Sequence, residues 1–162
     1  RKVSTTLGQI HQQGGPSGKA NSLSSFPPLI QIDARKGNLY LNWHKLSGSK
    51  DNVIDVSEYY KLKPLKSMRG VWTDISICLD FENKSIEAWV DGVNKVKILK
   101  SPIFFEPESI YFKHGIYQSF ISAYTKFKGE TPTQIVYYDE VRRGNSIEEV
   151  DINVNPELQF VD

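Results

Sequence analysis

Cysteine is nearly missing from this chain. Cys78 stands alone among 162 residues, so no disulfide closes within the sequence. It falls in the strand-like run Ile75 to Phe81, where a free thiol is expected to be a small, partly buried side chain rather than a nucleophile. Long apolar runs are missing too: nothing approaches the roughly 18 residues that suggest a membrane span. The first residues show no signal-peptide pattern, and a secreted protein in its mature form would look the same. Neither sign of charge is in excess. Twenty Lys and Arg face nineteen Asp and Glu, so the net charge of +1 offers no general field for nucleic acid or another polyanion. An anionic ligand has to be met by local charges. There is no Gly-rich phosphate loop, no nucleophile elbow and no zinc-protease helix motif.

Sustained helical periodicity is also lacking, with at most one helical turn expected in Val56 to Lys63. Strand signals take its place. Leu39 to Trp43 alternates, and Ile75, Ile77, Leu79 and Phe81 alternate with Asp74, Ser76, Cys78 and Asp80. Ser85 to Val90 and Val93 to Leu99 flank Asp91-Gly92, a two-residue hairpin turn. Gln134 to Val141, rich in β-branched and aromatic residues, reads as another strand. Several short strands separated by turn signals indicate an all-β sandwich. The length suits one domain over residues 1–162, with no internal repeat or linker. Gln13 to Pro27 is rich in Gly, Ser, Asn and Pro and reads as a long mobile loop, a lid or plain surface slack.

Ile110 to Tyr117 reads as a strand with two different faces. Period two puts Tyr111, Lys113, Gly115 and Tyr117 on one side, and Ile110, Phe112, His114 and Ile116 on the other. The second side is apolar and belongs against a core, so His114 is expected to be a satisfied core residue. The first side holds a phenol and an ammonium around a glycine that leaves space for a ligand or marks a bulge. Of the other histidines, His44 follows Trp43 at a strand end with nothing beyond exposure to recommend it. His11 shares a face with Gln9 in Gln9-Ile10-His11. No local cluster has the ligands for a catalytic zinc, so no metal site is assigned. Asp139-Glu140 leaves room for a structural calcium ion, although an acid pair near a strand end is usually solvated or salt-bridged. The basic run Lys61 to Arg69 is expected to be an exposed loop.

Two motifs carry a family resemblance. Gln9-Ile10-His11 looks like the Gln-Ile-His motif, and Tyr111-Phe112-Lys113-His114-Gly115-Ile116-Tyr117 like the Tyr-Phe-Lys-x-Gly-x-Tyr strand, of the concanavalin-like jelly-roll polysaccharide lyases. That group contains alginate lyases, heparin lyase I and glucuronan lyase. Val136 to Gly144 is similar to the closing strand of the heparin lyase-like and glucuronan lyase-like branch. Trp72 to Leu79 and Ala88 to Gly92 are similar to its sandwich strands.

The resemblance implies a jelly roll of two antiparallel sheets that cleaves a uronate-containing acidic polysaccharide, of glucuronan, alginate or glycosaminoglycan type, by β-elimination. It also implies an extracellular protein that needs no cofactor, with no nucleic-acid or membrane partner. The substrate carboxylate must be neutralised, the C5 proton removed and the departing 4-oxygen protonated. By motif, Gln9 would bind the carboxylate, His11 would act as base or assist neutralisation, and Tyr117 would protonate the leaving oxygen. Lys113 would bind an acidic group of the substrate or favour the phenolate. Tyr111, Gln118, Trp89, Tyr40 and Asn42 are candidates for the sugar-binding face.

Two departures from the family pattern stand out. The family usually carries an Arg on a strand well upstream of Gln-Ile-His, and Arg1 is a poor substitute. The expectation is a jelly roll lacking its N-terminal strand or strands, with a sheet edge that a missing N-terminal segment or another chain completes. Gln118 stands where the heparin lyase-like branch often has a basic residue, which puts sulfation of the substrate in doubt. The alternative is a non-catalytic carbohydrate-binding jelly roll. A glycoside hydrolase would need two flanking carboxylates, and no same-face acidic pair on a strand meets that need.

Overall fold

In the computed structural model, residues 4–13, 27–49, 52–101, 107, 109–118 and 133–160 are described. They form eight strands: β1 (Thr5–Gln13), β2 (Ile30–Arg35), β3 (Asn38–Ser49), β4 (Asn52–Pro64), β5 (Ile75–Asp80), β6 (Ser85–Val90), β7 (Val93–Ile98) and β8 (Ser109–Tyr117). A five-stranded sheet runs β4-β3-β2-β1-β8 and a three-stranded sheet runs β5-β6-β7. Every pairing is antiparallel. The fold is an all-β sandwich of the jelly-roll kind. Among the described residues the only helical elements are short 3-10 turns.

Alternation on the central strands explains why the two sheets close on each other. In β2, Ile30 and Ile32 alternate with Gln31 and Asp33, and in β3, Leu39, Leu41 and Trp43 alternate with Tyr40, Asn42 and His44. The apolar set joins Leu62, Ile86, Ala88, Val90 and Val96 in one buried cluster. Each such aliphatic side chain contributes on the order of 1.5–3 kcal/mol by leaving water. The polar set is thereby left on the opposite face of the larger sheet.

Turn chemistry fixes the register. The β6–β7 hairpin has the expected turn, with positive φ at Asp91 (50°) and Gly92 (74°). Lys36 (48°) and Gly37 (77°) make a second turn of this kind between β2 and β3. Asp91 also ties the sheets together: its Oδ2 accepts from Lys63 Nζ of β4 at 2.5 Å, and its Oδ1 accepts the Asp74 amide at 3.1 Å.

Several expectations are corrected. Val56 to Lys63 forms no helical turn and belongs to β4, the long hairpin partner of β3. Much of the basic run Lys61 to Arg69 lies in that strand and the following 3-10 turn. Gln134 to Val141 is exposed and joins neither sheet. Cys78 is exposed on the outer face of β5 rather than partly buried; desolvation, then Asp80 and Glu87, push its thiol up, away from a reactive thiolate. His114 is exposed, not core, as are Phe112 and Ile116 beside it. The fully buried cluster draws on β2, β3, β4, β6 and β7, and β8 adds only the partly buried Ile110. The expected loop Gln13 to Pro27 lies outside the described residues except at its two ends.

Candidate functional site

Strand register arranges the polar face of the larger sheet into transverse rows. One row runs Lys113, Gln9, Gln31, Asn42, Tyr59, each opposite the next across β8, β1, β2, β3 and β4. On one side of it His11 stands opposite Tyr111. On the other side a second row runs Tyr117, Thr6, Asp33, Tyr40, Lys61. Directly opposed antiparallel residues share a face, so motifs 100 or more positions apart in sequence meet on one surface.

The rows stay aligned because of a bulge. Leu7 lies between Thr6 and Gly8, and the register of β1 shifts there against both neighbours. On β8, Gly115 and Ile116 oppose that single residue, and Gly115 takes φ 131°. A side chain on Gly115 would meet nothing within 4 Å, so the need for glycine is conformational, and the open space above it is real as well. Tyr138 closes the bulge from behind, its hydroxyl donating to the Leu7 carbonyl at 2.8 Å.

A groove of about 560 Å³ follows the bulge, and Gln9, His11, Gln31, His44, Lys113 and Tyr117 are among the residues lining it. The His11 ring stacks on Tyr111 with centroids 5.2 Å apart, and Lys113 Nζ lies 5.0 Å from the Tyr111 ring centroid. His11 Nδ1 is 3.0 Å from the Gln12 carbonyl oxygen. A carbonyl only accepts, so Nδ1 carries the proton and Nε2 keeps its lone pair. Burial, with a smaller push from Lys113, holds the imidazole below its ordinary 6.5, against the opposing pull of the Gln12 carbonyl. A neutral imidazole with a free Nε2 can accept a proton.

His44, set aside on sequence grounds, proves to be a buried groove residue, 8% exposed. Its Nδ1 meets Asp55 Oδ2 at 2.9 Å and its Nε2 meets Gln31 Oε1 at 2.9 Å. Asn42 Nδ2 donates to Gln31 Oε1 at 3.1 Å and lies 3.1 Å from His44 Nε2. Asp55 therefore fixes the proton on Nδ1. Nε2 lies within hydrogen-bond distance of both the Asn42 amide nitrogen and the Gln31 oxygen. With its oxygen held in this way, Gln31 keeps its NH2 donors for a ligand. The signal was present in the sequence: extending the Tyr40, Asn42 alternation by two residues reaches His44.

The other candidates divide. Tyr111 lies on the groove face. Asn42 lies beneath it, 2% exposed, and Tyr40 meets Tyr59 edge-on on the same face. Trp89 does not belong to this surface. It follows buried Ala88 and precedes buried Val90 on β6, which turns it to the outer side of the smaller sheet. Gln118 is not among the groove residues; its Nε2 donates to Gln134 Oε1 at 2.7 Å and ties the C-terminal segment to β8. Glu140 pairs with Arg142, and Asp139 Oδ1 accepts the Glu140 amide at 2.9 Å. Among the described residues no three His, Cys, Asp or Glu side chains are grouped to hold a metal, and no helix is long and apolar enough to cross a membrane.

A family model described as polysaccharide lyase matches residues 1–142. The chain belongs to this polysaccharide lyase family. The match spans all eight strands, both motif strands included. Comparison with curated proteins and with solved structures returned no match.

Proposed function

We propose that this lyase cleaves a uronate-containing polysaccharide by β-elimination, with Gln9, His11, Lys113 and Tyr117 as its working residues. The observation that carries this reading is that all four line one groove, with Gln9 opposite Lys113 and with His11 and Tyr117 in the flanking rows. Gln9 donates to the uronate carboxylate and stabilises the charge that develops on it when C5 loses its proton. His11 Nε2 takes that proton. The electron pair forms the C4–C5 double bond as the C4–O bond breaks, and the Tyr117 hydroxyl protonates the leaving oxygen. Proton return from the imidazolium to the phenolate, through solvent, restores both groups, and no water is consumed. Lys113, beside Tyr111, supplies positive charge where the carboxylate enters.

The test is the ultraviolet absorbance of the unsaturated uronate product. Incubation with glucuronan, alginate and glycosaminoglycans should raise that absorbance on at least one polymer. A flat trace on every uronate polymer would sink the proposal.

A further inference from the structure

Arg35 ends β2 on the groove face, in step with Gln31 and Asp33. Its guanidinium carbon lies 4.2 Å from the centroid of the Tyr59 ring, and Tyr59 meets Tyr40 edge-on, with centroids 6.3 Å apart at 87°. The edge contact holds Tyr59, and Tyr59 holds the guanidinium through one of its faces. Stacking leaves the N–H groups free, because they lie in the guanidinium plane and point outward from its rim. No acidic side chain takes them up among the described residues: Arg35 is in none of the ion pairs. The acid closest in register, Asp33, is 4% exposed and accepts the Thr6 hydroxyl at 2.7 Å. Burial pushes its carboxyl up, toward the neutral form, against the Thr6 hydrogen bond and the nearby Arg35 charge, which pull it down. Lys61, opposite Tyr40 and exposed, adds a second cation to this end of the face.

A planar cation held flat on an aromatic ring, with an unused donor edge, is suited to a carboxylate, which it grips by two parallel hydrogen bonds. We propose that Arg35, stacked on Tyr59 beside Tyr40, is a distal subsite for the carboxylate of a uronate residue well away from the bond that is cleaved. The proposal rests on the elimination reading for the identity of the polymer. Gln9 on β1 and Tyr59 on β4 are three strand spacings apart, about 14 Å. A chain crossing the strands thus meets Arg35 and Tyr59 with a sugar other than the one undergoing elimination. The subsite serves affinity for long chains and leaves the chemical step to β1 and β8.

The experiment compares wild type with Arg35→Gln and Tyr59→Leu on uronate oligosaccharides of graded length, and measures oligosaccharide binding by calorimetry in a Tyr117→Phe background. KM for long oligosaccharides should rise about tenfold in Arg35→Gln, the order expected for loss of a charge-assisted bidentate pair. The kcat value, and the kinetics on the shortest cleaved oligosaccharide, should stay as in wild type. Arg35→Lys should recover only part of the loss, since it keeps the charge without the fork. Equal KM values for variant and wild type at every length overturn the subsite, and so does an equal loss on short and long substrates. If wild type binds oligouronates in an Arg35-dependent way yet releases no unsaturated product, the elimination reading falls and the subsite stands. Absence of both binding and turnover overturns both.

Discussion

His44 and Asp55 meet at 2.9 Å in the wall of the groove, and through Gln31 their hydrogen bonds reach its surface. In the proposed site the pair would position Gln31. His44→Ala should lower kcat/KM by about tenfold or more by releasing Gln31 and Asn42, and should cost about 1–3 kcal/mol of stability by leaving buried polar groups without partners. His44→Gln, which keeps a donor near Gln31, should restore part of the activity. Steady-state kinetics and denaturant melts on both variants check this, and unchanged kinetics in His44→Ala would remove the pair from the working site.

Tyr117→Phe should abolish turnover while oligosaccharide affinity stays within about threefold of wild type, since only the hydroxyl group is lost and the ring remains. Calorimetry and the absorbance assay on the same preparation separate the two effects. Retained turnover would take Tyr117 out of the acid role.

The pH profile follows from His11. Burial first, and Lys113 second, favour its neutral form, and the proposed base works only when neutral. The acid limb of kcat/KM should therefore lie below 6.5, with activity lost as pH falls through it. Lys113→Gln removes a cation that opposes protonation, so the limb should move to higher pH. A limb that stays in place or moves down in this variant would separate Lys113 from His11.

Gly115→Ala places a side chain where there is room for it but where φ is 131°. The cost is conformational, about 1–3 kcal/mol, and relaxation of the bulge should displace Tyr117 relative to Lys113. A lowered melting temperature together with a fall in kcat is expected. An effect on stability alone would show that the bulge does not set the geometry of the site.

How much of this was legible in sequence depended on what each signal measures. The Asp91-Gly92 hairpin was readable because its residue pair tolerates positive φ at both central positions. The equivalent turn at Lys36-Gly37 lacks the leading Asn or Asp and passed unnoticed. Parity placed Tyr111, Lys113 and Tyr117 together correctly, yet it misplaced His114 in the core, because alternation separates two faces without saying which is covered. The strand expected at Gln134 to Val141 had the right propensity, but propensity reports fit to neighbouring strands, and among the described residues it pairs with none. β4 was obscured by its position at an edge of the described sheet, where Ile54, Val56 and Tyr59 are all exposed and no clean apolar alternation results. With no strand read there and at most one helical turn expected in Val56 to Lys63, Asp55 had no reason to meet His44.

The transverse rows carry a consequence for how such a surface can change. Successive sugars of a chain lying along a row face different strands, so each position on the polymer is addressed by a separate stretch of sequence. Lys113, Gln9, Gln31, Asn42 and Tyr59 are neighbours in space and belong to five strands. A substitution on β4 can alter what is accepted at one end of the sheet face without touching the proposed acid and base at the other. Preference for a polymer and competence for its cleavage are thus separately adjustable, strand by strand.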